Sequence, residues 1–124
     1  MKLLFTLAIV VVFLVFPVQD SFSELELSTN ALVYSPDHIL QVYGSGLPGE
    51  NLILRLFAPD ESITKFDQVQ TDSDGNFNYR LLTWPTPSSG VPFGTYTVEV
   101  LSTQQNGLSK KIDIKFSSTT ELIS

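Results

Sequence analysis

The stretch Asn51-Leu52-Ile53-Leu54-Arg55-Leu56-Phe57-Ala58 decides how this chain folds. In an extended backbone successive side chains point to opposite faces. Leu52, Leu54 and Leu56 then share one side, while Ile53, Arg55 and Phe57 share the other. In a helix the three leucines would not line up on one face. Pro59-Asp60-Glu61-Ser62 follows, a cluster of residues that favour turns. The run is therefore a strand with one fully apolar side and one mixed side.

Working outward, the same period of two recurs in short runs bounded by Gly, Pro, Asn and Asp. Leu25, Leu27 and residues 32–34 make a first strand, interrupted near Ser28-Thr29-Asn30. Residues 38–43 make a second, with Leu40 and Val42 on one face. Residues 63–71 are more polar; Lys65, Asp67, Gln68 and Gln70 suit the edge of a sheet, where charges discourage further pairing. Asp72-Ser73-Asp74-Gly75 reads as a hairpin turn, and residues 76–82 follow with Phe77, Tyr79 and Leu81 on one face. Residues 84–94 form a loop holding Pro85, Pro87 and Pro92. Residues 95–102 place Tyr96, Val98 and Val100 together. Asn106-Gly107 is a hairpin signal, and residues 108–116 place Ile112, Ile114 and Phe116 on one side. About seven strands at regular spacing argue for an all-β antiparallel sandwich. No segment is long enough for the helix of a parallel crossover.

Ahead of these strands, Lys2 precedes an uncharged stretch over residues 3–18, then Ser21-Phe22-Ser23. A basic start, an apolar run and small residues are the pattern of an export signal. Residues 1–23 are read as a signal peptide or a signal anchor, a hydrophobic helix in either case. The run is somewhat short for a span of ~20 apolar residues, which favours cleavage. The domain would lie outside the cytoplasm both ways, since Lys2 favours an N-terminus on the inner side. Removing 23 of the 124 residues leaves 101, enough for one domain. That domain is expected over residues 24–116, with a flexible tail at 117–124.

The chain has no cysteine and one histidine. Its stability must come from its core, and thiolate chemistry is absent. Zinc and copper sites need several His or Cys ligands, so His38 alone builds none. No nucleophile elbow Gly-x-Ser-x-Gly occurs. Asp60-Glu61 and Asp72/Asp74 sit in turns, where Asp bonds to backbone, rather than facing each other as a glycosidase pair. Asp72-Ser73-Asp74-Gly75-Asn76 lacks the spacing and closing Glu of a calcium loop. The net charge of −6 opposes nucleic acid. Lys110, Lys111 and Lys115 read as a solvated strand face. No catalytic residue, cofactor or metal is expected.

Gly94-Thr95-Tyr96-Thr97-Val98 resembles the start of the sixth strand of immunoglobulin-like domains. The resemblance implies that the Tyr96 hydroxyl bonds back to upstream backbone, a tyrosine corner. Val98 stands where antibody domains have a cysteine, so the likeness is to disulfide-free members. Tyr34-Ser35-Pro36-Asp37, Val42-Tyr43-Gly44, Phe57-Ala58-Pro59-Asp60 and Thr71-Asp72-Ser73-Asp74-Gly75-Asn76-Phe77 extend it in order. Together they are similar to macroglobulin-like immunoglobulin modules of secreted and cell-surface proteins, especially archaeal surface proteins. The pattern departs at Pro36-Asp37, where a glycine usually follows the proline. The resemblance implies an immunoglobulin-like β-sandwich with a structural or protein-interaction role at the cell surface.

Four residues are candidates for partner binding. Trp84 and Phe93 bracket the proline-rich loop, where rigid aromatics can anchor a partner; alternatively, Trp84 closes the bottom of the core. Arg55 and Phe57 lie on the mixed side of the central strand, an interface if exposed. The expected partner is a protein or a second copy, with membrane contact only through residues 3–18 if these are retained. A membrane-tethered accessory subunit and a soluble extracytoplasmic ligand-binding domain remain as alternatives.

Overall fold

Eight strands follow one another in the computed structural model, which describes residues 25–118. They are β1 (Glu26–Thr29), β2 (Val33–Tyr34), β3 (Ile39–Ser45), β4 (Asn51–Phe57), β5 (Ile63–Gln70), β6 (Asn76–Thr83), β7 (Gly94–Ser102) and β8 (Ser109–Phe116). Three of them form one sheet, in the order β1-β3-β6, and five form the other, in the order β2-β8-β7-β4-β5. Among the described residues no helix is long and apolar enough to cross a membrane. The expected leader helix and the tail beyond residue 118 lie outside the described residues.

The alternation of the leucine run is realised as read. Leu52, Leu54 and Leu56 are fully buried, while Ile53, Arg55 and Phe57 are half-buried on the outer face. Opposite them, Leu40 and Val42 from β3 and Phe77 and Leu81 from β6 complete the core. Tyr96, Val98 and Val100 from β7 and Ile114 and Phe116 from β8 fill the remainder.

The first expected strand is two strands, in different sheets. β1 pairs with β3, whereas Val33 and Tyr34 pair with Lys115 and Phe116 of β8, in parallel. Asn30 is the reason. Its Nδ2 donates to Ile39 O at 3.0 Å, and its Oδ1 accepts from the Gln41 amide and the Tyr34 hydroxyl. The side chain holds the chain to β3 at that point, and the backbone turns away after it. The sandwich accordingly has eight strands rather than seven.

The turn after β5 also differs from its reading. Asp72-Ser73-Asp74-Gly75 joins β5 of one sheet to β6 of the other, so it closes no hairpin. Its local chemistry is nonetheless that of a tight turn. Asp72 Oδ1 accepts from the amides of Asp74 and Asn76 at 2.8 and 2.9 Å, and Gly75 has a φ of 85°. Asn106-Gly107 does close a hairpin, between β7 and β8. The connection runs over residues 103–108, and Asn106 and Gly107 centre a tight turn within it, with φ of 57° and 76° and the Leu108 amide donating to Gln105 O at 3.1 Å.

Asp37 accounts for the missing glycine. Its φ is 75°, and the His38 amide donates to Ser35 O at 3.1 Å across the turn. The backbone keeps the left-handed conformation that glycine adopts freely, and Asp is among the few residues that tolerate it.

β5 is the sheet edge that its polarity implied. Lys65 and Asp67 face Leu56 and Leu54 in the ladder, so they lie on the core side of the edge. They form an ion pair at 3.9 Å. Charges turned inward at an edge make pairing with another strand costly.

Candidate functional site

The four sequence candidates separate into two places. Arg55 and Phe57 sit together on the outer face of the five-stranded sheet. The Arg55 guanidinium lies 5.3 Å from the centre of the Phe57 ring. Its Nε donates to Glu99 Oε1 at 2.6 Å, and its terminal nitrogen pairs with the same oxygen. Register explains the pairing: Arg55 of β4 is opposite Glu99 of β7. Glu99 is only 5% exposed on this outer face. On the other side of β4, Arg55 is opposite Phe66, which is 58% exposed. Ile53 and Leu101, also paired, extend the strip. The face is thus a mixed patch with a rigid charged centre and an exposed aromatic at its edge.

Trp84 and Phe93 lie at the end of the sandwich reached by the β6–β7 loop. Trp84 is fully buried. Its ring stacks on Phe116 at 4.4 Å and meets Tyr96 edge-on at 5.0 Å, with Tyr34 at 5.8 Å. It closes the core and offers no surface to a partner. Its Nε1 has no hydrogen-bond partner among the described residues. Phe93 meets Phe116 at 4.9 Å and is 40% exposed, so it remains at the surface. Among the described residues no ring contact joins this pair to Arg55 and Phe57.

Tyr96 anchors the same loop. Its hydroxyl donates to Pro92 O at 2.7 Å, four residues upstream, the corner that the resemblance implied. Burial pushes its pKa up, and the Asp60 carboxylate adds to the shift. His38 is exposed and accepts at Nδ1 from the Ser35 amide at 3.2 Å, which ties it to its own turn. Lys110, Lys111 and Lys115 are all exposed on β8.

One group escaped the sequence reading. Glu50 is fully buried at the opposite end of the sandwich. Its Oε1 accepts from the Leu47 amide at 2.9 Å and from Gln105 Nε2 at 3.3 Å. Its Oε2 accepts from the Ser102 hydroxyl and from the Gln104 amide at 3.2 Å. Burial alone would raise the pKa of this carboxyl. The Ser102 hydroxyl, the Leu47 and Gln104 amides and Gln105 outweigh it and hold the pKa below the ordinary value. The Glu50 backbone is bound as well. Its amide donates to Thr71 Oγ1 at 2.8 Å, and Thr71 N donates to Glu50 O at 2.9 Å. The Glu50 carboxylate thereby ties the β3–β4 loop to the β7–β8 loop, and its backbone ties both to the β5–β6 loop. Its sequence neighbourhood, Leu47-Pro48-Gly49 before a strand, looks like any solvated turn. The only local signal is the position of Glu50 one residue before the leucine run.

No family model matches the chain. No curated protein matches it either. Solved structures do. One is the tetra-tandem repeat in the extending region of a large adhesion protein. It is 17% identical, with a TM-score of 0.61, over 80% of this chain and 25% of that one. Another is a carbohydrate acetylesterase from Xanthomonas citri, 15% identical with a TM-score of 0.49, over 74% of this chain and 19% of that one. The chain therefore spans about a quarter of the length of the adhesion structure, the share of one repeat in four. At this identity the likeness is one of fold.

Proposed function

We propose that this chain is an exported, non-enzymatic immunoglobulin-like module with a structural or protein-interaction role at the cell surface. The observation that carries this reading is the path of the chain through the sandwich. β1 begins at the end that holds the Glu50 network, since Glu26 is opposite Ser45. β8 ends at the other, since Phe116 is opposite Gly94 and next to Trp84. A domain entered at one end and left at the other suits linear chaining, in which each unit adds its full length. The fold likeness to a repeat from the extending region of an adhesion protein supports the same reading. So does the apolar stretch at residues 3–18 as an export signal.

The surface assigned to a partner is the outer face of the five-stranded sheet around Arg55, Phe57 and Phe66, with Phe93 apart from it. The partner is a protein or a second copy of the chain. Nucleic acid is a poor fit to a chain of net charge −6.

Protease treatment of intact cells, followed by fractionation and N-terminal sequencing, tests the reading. The expected result is a protease-accessible chain outside the cytoplasm. Recovery beginning at Glu24 identifies a free or surface-associated module. Recovery from the membrane with residues 3–18 intact identifies a tethered subunit. A chain found only in the cytoplasm, with its N-terminus intact, overturns the proposal.

A further inference from the structure

The three-stranded sheet has an outer face that the proposed function leaves unused. Tyr43 of β3 stands opposite Ser28 of β1 and Asn78 of β6. In the next outward-facing row Ser45 stands between Glu26 and Asn76. The rows are ~7 Å apart, two residues along a strand. Gln70, the last residue of the edge strand β5, and Asp72, in the turn that follows it, close the side. Together they bound an open groove of about 650 Å³, within the range of small-ligand sites.

The chemistry of the lining narrows the ligand. The groove has two carboxylates, Glu26 and Asp72, and neither Lys nor Arg, which disfavours anions. It has one exposed aromatic, Tyr43, at 41% exposure. The rest of the lining mixes amides and hydroxyls with the apolar side chains of Val69 and Phe77. Three of the polar side chains are held by one half and leave the other half to a ligand. Asn78 Oδ1 accepts from Gln41 Nε2 at 2.6 Å, which leaves the amide NH₂ as a donor. Gln70 Nε2 donates to Gly49 O at 3.2 Å, which leaves Oε1 as an acceptor. Asp72 Oδ1 is committed to two turn amides, which leaves Oδ2 as an acceptor. Fixed donors and acceptors beside an aromatic face suit a ligand whose hydroxyls both donate and accept and whose C–H face is apolar. We infer that this groove is a binding site for a neutral saccharide. The assignment rests on the groove alone and holds whichever compartment the chain occupies.

Amide-resolved NMR titration of the full chain with cellohexaose, mannohexaose and chitohexaose tests it, with oligolysine as the competing probe. The expected result is saturable shifts at Tyr43, Asn76 and Asn78 with at least one oligosaccharide. Tyr43→Ala and Asn78→Ala should each weaken that binding about tenfold or more. Lys110→Ala, exposed on β8 of the opposite sheet, should leave it unchanged. The proposal is overturned by any of three outcomes: no shift with all three sugars at millimolar concentration, shifts that Tyr43→Ala does not affect, or saturable binding of oligolysine in place of the sugars.

Discussion

At the scale of single residues, Tyr96 and Trp84 show how much a side chain's local pattern discloses. Alternation puts the Tyr96 ring on the inner face, and the resemblance of Gly94-Thr95-Tyr96-Thr97-Val98 to the sixth strand of immunoglobulin-like domains implies where its hydroxyl bonds. The bond to Pro92 O confirms that geometry. Tyr96→Phe should cost about 1–2 kcal/mol in urea denaturation, since a buried acceptor loses its partner while packing is kept. An unchanged midpoint would show that water replaces the bond. Trp84 was ambiguous between anchor and core because a lone tryptophan beside prolines fits both. Burial decides for the core, and it leaves Nε1 without a partner. Trp84→Ala should therefore cost about 3–5 kcal/mol, the usual loss for a large buried aromatic. Trp84→Phe should cost well under half as much, because the desolvated indole N–H disappears along with the ring volume. Equal losses for the two variants would count against that account. Glu50 was not legible, because nothing adjacent in sequence shows that its four donors come from residues 47, 102, 104 and 105.

Elements carry a second lesson. β4, β7 and β8 were legible because one face of each is apolar at period two, and burial follows from that pattern. The division between β1 and β2 was not, since it depends on Asn30 bonding to residues 34, 39 and 41. The Asp72–Gly75 turn had the residues of a hairpin turn, yet it crosses between sheets. Turn chemistry specifies a local reversal, and the sheet that receives the next strand is chosen by what that strand packs against. β5 yields a prediction at this scale. Lys65 and Asp67 face inward at an open edge, so the doubly substituted chain Lys65→Val/Asp67→Val should expose a flat apolar edge. Concentration-dependent oligomers in analytical ultracentrifugation are the expected outcome, with the parent chain monodisperse under the same conditions. A monodisperse double variant would mean that the edge is protected by something other than these two charges.

For the whole molecule, the Glu50 network makes stability at one end depend on pH. The folded pKa of Glu50 lies below its ordinary value of 4.5. The network's contribution is therefore complete above that value and is lost as pH falls through the depressed folded pKa. Thermal unfolding across that window should show a falling midpoint in the parent chain. In Glu50→Gln the midpoint should be lower at neutral pH, by roughly 2–3 kcal/mol of stability, and less dependent on acid. The same slope in both chains would assign the acid response to other carboxylates. The long axis has the Glu50 network at one end and the Trp84–Phe116 cluster at the other, with the chain running between them. By itself, the sequence determined the strand faces, the polar edge and the absence of thiols, because these follow from local alternation and composition, whereas the tyrosine corner is implied only by the resemblance of residues 94–98 to immunoglobulin-like domains. Only the tertiary structure decided the two-sheet division, the burial of Glu50 and Trp84, and the polar groove around Tyr43. Each of these is made by residues tens of positions apart, and their proximity is a property of the packed sheets rather than of any one segment.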